Sequence, residues 1–140
     1  MAKHNLTRTS HHPFGDLLGM DFESAGDGEA VFALDVRADH MNPHGVVHGG
    51  VLFSLADTCM GSALYTRMEP GESCATIEIK MNYLAPVTAG RLVCRTRVLH
   101  KGRSTSVLES DLRAGEALVA TALGTYTIFQ PLKPHPPAPA

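Results

Sequence analysis

The chain has 140 residues, enough for one domain with a proper core and too few for two. It is 44% apolar and 19% charged with a net charge of −2, an ordinary globular balance without a nucleic-acid or membrane-surface signature. The three cysteines, Cys59, Cys74 and Cys94, form no Cys-x-x-Cys and read as reduced thiols; with no apolar leader and no run near ~18 apolar residues, a cytoplasmic protein is expected.

Residues 1–12 are polar and carry His4, His11 and His12, which reads as a flexible tail. Adjacent histidines on such a tail are expected to face solvent, so no metal is assigned. Residues 13–20 suit a short helical turn, and 29–37 alternate loosely as a strand. Residues 38–47 form a loop punctuated by Asn42-Pro43 and His44-Gly45. A long apolar helix is predicted over 49–66, opened by Gly49-Gly50 and ending near Glu69-Pro70-Gly71. Four strands follow at 74–84, 91–100, 104–113 and 117–129, with Pro86, Gly90, Gly102 and Gly115 at the gaps. Short gaps imply antiparallel neighbours, hence a four-strand meander. Residues 131–140 are Pro-rich and cannot pack, leaving one domain over 13–130. A helix apolar on most of its surface needs cover on most of it. The expectation is therefore α+β, a curved antiparallel sheet wrapped around one buried helix.

Asp57 is the only charged side chain in that helix. Burying a carboxylate is costly unless it is paired or used, and acid/base or nucleophilic chemistry uses it. The bland alternative is a solvated helix face. Ser54, Asp57, Thr58, Gly61 and Ser62 do share one side, but that side has no Lys, Glu or Arg, and small polar residues suit a pocket or a close partner better. Gly49 and Gly50 bring helix-N-terminal amides near any ligand, where they stabilise an anion; they also serve as a plain tight turn.

The run Asn42-Pro-His-Gly-Val-Val-His-Gly-Gly-Val-Leu-Phe-Ser-Leu-Ala-Asp57 resembles the signature of the hotdog-fold acyl-CoA thioesterases, most closely the phenylacetate-pathway (PaaI-like) branch of the 4-hydroxybenzoyl-CoA thioesterase superfamily. Ala75-Thr-Ile-Glu-Ile-Lys-Met-Asn-Tyr-Leu-Ala-Pro86, Gly90-Arg-Leu, Lys101-Gly-Arg-Ser104 and Ala120-Thr-Ala agree in order, so the similarity covers 14–130.

The resemblance implies that the Gly49 N–H polarises a thioester carbonyl. Asp57 then acts as general base or nucleophile, Thr76 helps hold the attacking water, and Asn42 and His48 shape the loop and position the thioester. It implies a site shared across a homodimer, with a homotetramer expected. Asn42, His48 and Gly49 come from one subunit, Asp57 and Thr76 from the other. Coenzyme A enters as part of the substrate, with no separate cofactor. Lys101, Gly102, Arg103 and Ser104 fall where the family holds the nucleotide and phosphates, for which Arg is suited. Phe53, Met60, Met81, Tyr83 and Leu84 are pocket candidates, and Gly50, Ser54 and Asn82 join them as candidate substrate contacts. They favour an apolar chain or aromatic ring, and the resemblance implies phenylacetyl-CoA or a hydroxylated relative.

Plainer readings stand beside these: a structural His48, an ordinary strand Thr76, Asn42 as a turn residue, Lys101 to Ser104 as a simple hairpin. Two other functions remain. Asp39-His-Met-Asn-Pro-His44 partly resembles the loop of hotdog enoyl-CoA hydratases, with its Asn-Pro displaced by one residue. A non-catalytic acyl-CoA-binding protein is the third possibility, against which the presence of Asp57 argues.

Overall fold

In a computed structural model, residues 12–132 are described. Expectations for the tails, including the histidines at 4 and 11, lie outside that span. A short helix α1 (Pro13–Leu18) leads into strands β1 (Met20–Gly26) and β2 (Glu29–Asp35). A single 3-10 turn (Ala38–His40) precedes the long helix α2 (Gly49–Tyr65). Four strands follow: β3 (Ser73–Tyr83), β4 (Arg91–Lys101), β5 (Thr105–Ala114) and β6 (Ala117–Phe129). All six strands form one antiparallel sheet in the order β1-β2-β4-β5-β6-β3, curled around α2. This is the hotdog arrangement.

Two expectations need correction. The sequence reading missed β1. Its alternation is broken by a bulge between Phe22 and Ser24, which hides the period-2 signal. The turn after it was the readable cue: Asp27 and Gly28 take φ of 52° and 82°, the left-handed pair that a two-residue hairpin turn demands. The four-strand meander is also wrong in one place. Of these four strands only β4, β5 and β6 pair consecutively; β3 lies at the sheet edge beside β6, and β4 pairs with β2. Helix α2 carries the chain from β2 across the concave face to the far edge. The segment 84–90 then brings it back.

Helix α2 buries Val51, Leu52, Leu55, Ala56, Cys59, Met60, Ala63 and Leu64. That spacing covers most turns of the helix and meets Leu34, Leu92, Leu108 and Leu112 from the sheet. Each such leucine contributes about 1.5–3 kcal/mol on burial. The helix ends at Thr66, whose hydroxyl donates to the Ala63 carbonyl and accepts from the Gly28 N–H, both at 2.7 Å. The β1–β2 turn is thereby tied to the end of α2.

The sheet leaves one stripe of α2 uncovered. Gly50, Phe53 and Tyr65 are exposed along it, and Ser54, Asp57, Thr58, Gly61 and Ser62 are half-buried. No helix among the described residues is long and apolar enough to cross a membrane.

Candidate active site

Two hollows lie along α2, one at its N-terminus and one around Asp57. The loop before the helix builds the first. Asn42 Oδ1 accepts from the N–H groups of His44 (2.8 Å) and Val46 (3.3 Å), closing the loop on itself. Asn42 therefore shapes this loop. His48 caps the helix: its N–H donates to the His40 carbonyl, and its Nδ1 accepts from the Gly50 N–H, both at 2.8 Å. Its ring proton then sits on Nε2. The His48 carbonyl accepts from Val51 at 2.9 Å, which fixes the peptide preceding Gly49.

With the Gly50 amide taken by His48, the Gly49 N–H has no partner among the described residues. It sits at the positive end of a 17-residue helix. Tyr83 covers this corner. Its hydroxyl donates to the Gly49 carbonyl at 2.8 Å, and a side chain at position 49 would meet the Tyr83 ring at 3.0 Å. Glycine allows this close approach without displacing the Tyr83 ring.

The second hollow, a cleft of about 630 Å³, holds the carboxylate. Thr76 donates its hydroxyl to Asp57 Oδ1 at 2.7 Å. Tyr126, on β6, donates to the same oxygen at 2.5 Å and also contacts the Asp57 carbonyl at 3.1 Å. Oδ1 is thus doubly held, while Oδ2 has no hydrogen bond among the described residues. Tyr126 is 2% exposed. Burial first, then the hydrogen bond to Asp57 and its charge, push the phenol well above its ordinary range, so it remains a donor. Cys74 also lines the cleft; burial and the Asp57 charge raise its thiol.

Sequence reasoning missed Tyr126. The available signal was its position: a phenol on the inward-facing side of β6, between buried Ile128 and Gly124, needs a partner for its hydroxyl.

The remaining candidates divide. Phe53 and Leu84 are 37% and 56% exposed, and Leu84 borders the first hollow. Ser54 turns its hydroxyl back to the Gly50 carbonyl at 2.7 Å. Met81 packs against the core.

Two placements correct the expectation. Met60 is fully buried against Gly124, away from either hollow, because it lies on the sheet-facing side of α2. Asn82 alternates with inward-facing Tyr83, so it projects to the outer face, where its amide meets the Thr121 hydroxyl at 3.4 Å.

The 101–104 turn joins β4 to β5. Lys101 Nζ lies 3.5 Å from Glu72, which occupies that cation, whereas Arg103 has no ion pair among the described residues. Gly102 and Ser104 fix the turn through backbone bonds to Thr105 and Ile128, each 2.8 Å. Ser106, Tyr126 and Thr76 are aligned across three strands, so this turn sits at the same end of the sheet as the carboxylate.

Gly49 and Asp57 are eight residues apart, about 12 Å along the helix axis. A carbonyl held by one is out of reach of the other within a single chain, because reacting groups must lie near 3 Å.

Comparison with known proteins identifies the family. Residues 44–121 match the Thioesterase superfamily. The acyl-coenzyme A thioesterase PaaI of Escherichia coli is 34% identical over 96 residues, 68% of this chain and 66% of that one. The 1,4-dihydroxy-2-naphthoyl-CoA hydrolase of Listeria monocytogenes is 33% identical over 94 residues, 67% of this chain and 76% of that one. A solved structure of the conserved protein PA5202 from Pseudomonas aeruginosa superimposes with a TM-score of 0.82 at 39% identity, covering 85% and 95% of the two chains. The chain belongs to the thioesterase superfamily. It is a PaaI-like hotdog thioesterase, a hydrolase of thioesters.

Proposed function

We propose that this chain hydrolyses acyl-CoA thioesters to a free acid and coenzyme A, in a site completed by two subunits. The carrying observation is the Asp57 carboxylate, held at Oδ1 by Thr76 and Tyr126 with Oδ2 left for chemistry. The 12 Å gap within one chain supports the shared site: Gly49 of one subunit serves Asp57 of its partner.

The chemistry follows from these groups. Asp57 Oδ2 takes a proton from water as the water oxygen bonds to the thioester carbon. The carbonyl becomes an oxyanion, stabilised by the Gly49 N–H and the positive end of α2. The oxyanion collapses, the carbon–sulfur bond breaks, and the coenzyme A sulfur leaves with the proton from Asp57. Direct attack by Oδ2 would instead give a mixed anhydride, which water then cleaves. Either route uses the free Oδ2 and leaves the two hydrogen bonds to Oδ1 in place. The reaction draws on a carboxylate, an amide and water, with coenzyme A brought by the substrate.

An aromatic acyl group, phenylacetyl or a hydroxylated relative, fits the cleft best. Phe22 and Phe32 meet edge to face there, with ring centres 5.4 Å apart. The Listeria relative, named for an aromatic thioester, supports the same class. Arg103 serves the phosphates. Free Cys59, Cys74 and Cys94 suit a reducing cytoplasm. Turnover of an acyl-CoA panel followed by thiol release tests the reading: phenylacetyl-CoA should be hydrolysed well above background. Thiol release at background with the whole panel would refute it. Loss of enoyl absorbance from an enoyl-CoA, without thiol release, would establish the hydratase instead.

A further inference from the structure

Gly61 stands one helical turn beyond Asp57, on the same uncovered face of α2, and opens on the same cleft. A glycine inside a helix calls for a reason, since alanine is the better helix former. Positive φ is not the reason: Gly61 is absent from the positive-φ residues. Close backbone approach is not the reason either, because a Cβ built at Gly61 meets no atom within 4 Å. What the missing side chain leaves is room, and the room lies inside the cleft.

The walls say what fills it. Met20, Phe22 and Phe32 from β1 and β2 stand on one side, Cys74 from β3 on another, and Tyr65 at the far end. These give the cleft an apolar and aromatic wall leading away from the carboxylate, beside the polar His12, Asp16, Ser62 and Ser73. Along the axis, Gly61 is about 6 Å and Tyr65 about 12 Å beyond Asp57.

We propose that Gly61 sets the depth of the acyl pocket, so that the enzyme is built for extended acyl groups, a ring on a spacer or a medium-length alkyl chain, over acetyl. This rests on the thioesterase reading of the cleft. The acyl group leaves its carbonyl at Asp57 and runs along α2 past Gly61 toward Tyr65, between the Phe22–Phe32 pair and the first residues of β3. A side chain at position 61 enters that path.

The test uses Gly61→Ala, which favours the helix and must fold, and Gly61→Leu, which fills the space. Both are assayed on acetyl-, hexanoyl-, octanoyl- and phenylacetyl-CoA, with light scattering on each protein. Binding of the matching non-hydrolysable thioether analogues is measured in parallel. The ratio of kcat/KM for octanoyl-CoA to that for acetyl-CoA should fall by about tenfold or more in Gly61→Leu, with Gly61→Ala between. Thioether affinities should follow the same order. An active wild type whose substitutions leave that ratio flat overturns this inference and spares the thioesterase reading. Dissociation of the Gly61→Leu assembly would assign the room to a partner subunit and also overturn it. A wild type that neither hydrolyses nor binds any of the panel overturns both.

Discussion

The Tyr126 hydroxyl stands 2.5 Å from Asp57 Oδ1, on a side chain that is almost wholly buried. The phenol reaches from the last strand to the middle of the helix and meets the one charged side chain of α2. Thr76, from the edge strand, adds a second donor to the same oxygen at 2.7 Å. Neighbouring strands β6 and β3, which are 50 residues apart in sequence at these positions, thus orient one carboxylate.

Removing the phenol oxygen tests that orientation. Tyr126→Phe keeps the buried ring and removes a donor to an anion, a bond worth about 1.5–3 kcal/mol. We expect kcat to fall while KM changes little, since Tyr126 touches the carboxylate rather than the coenzyme. The alkaline limb of stability should also change. Tyr126 loses its proton above the ordinary tyrosine range when folded, because of burial and Asp57, and near pH 10 when unfolded. The unfolded chain therefore binds fewer protons above pH 10, and wild-type stability declines as pH rises through that window. In Tyr126→Phe the decline should be shallower, read as Tm against pH. Parallel Tm curves would contradict the assigned environment.

The Gly49 amide has a clean probe. Proline is tolerated at the first position of a helix, and His48 already has the extended conformation, φ −57° and ψ 134°, that a residue before proline adopts. Gly49→Pro deletes the N–H; Gly49→Ala keeps it while placing the same Cβ against Tyr83. Loss of an oxyanion donor costs about 10²–10³ in kcat. We expect that loss in the proline variant and a much smaller one in the alanine variant. Equal losses would assign the defect to the Tyr83 contact.

Arg103 should anchor the phosphates of coenzyme A. A contact made before and during the reaction is uniform binding, so Arg103→Ala should raise KM more than it lowers kcat. A large kcat loss at unchanged KM would contradict the role. Lys101→Ala should have less effect on KM, because Glu72 already occupies that ammonium.

Much of this was legible in the chain. The run of apolar residues after Gly49-Gly50 marks a helix that must be wrapped, and the single Asp57 marks the carboxylate that Thr76 and Tyr126 hold. Thr76 follows from motif order, and the structure brings it to Asp57. What was hidden is what pairing decides. The bulge in β1 erased its alternation, and the return of β3 to β6 involves partners far apart in sequence. Met60 and Asn82 share segments with site residues, but helix phase turns Met60 into the core and strand alternation turns Asn82 outward. Tyr126 was hidden for the opposite reason, being distant in sequence and adjacent in space.

Assembly decides the larger question. The proposed site needs two subunits, and α2 leaves a stripe uncovered, so light scattering at micromolar concentration should find a dimer or a tetramer. A monomer would contradict the shared site.

Mixing two inactive variants tests the shared site most directly. Asp57→Asn removes the base and should cost about 10²–10⁴-fold in rate while keeping the fold; Gly49→Pro removes the amide in the other half-site. After subunit exchange at equal amounts, half of the dimers are mixed, and each mixed dimer holds one intact site. About a quarter of wild-type activity should therefore return if the two-fold interface forms the site. A mixture no more active than the sum of the separate variants, with exchange verified, would contradict the account and place the whole reaction within one chain.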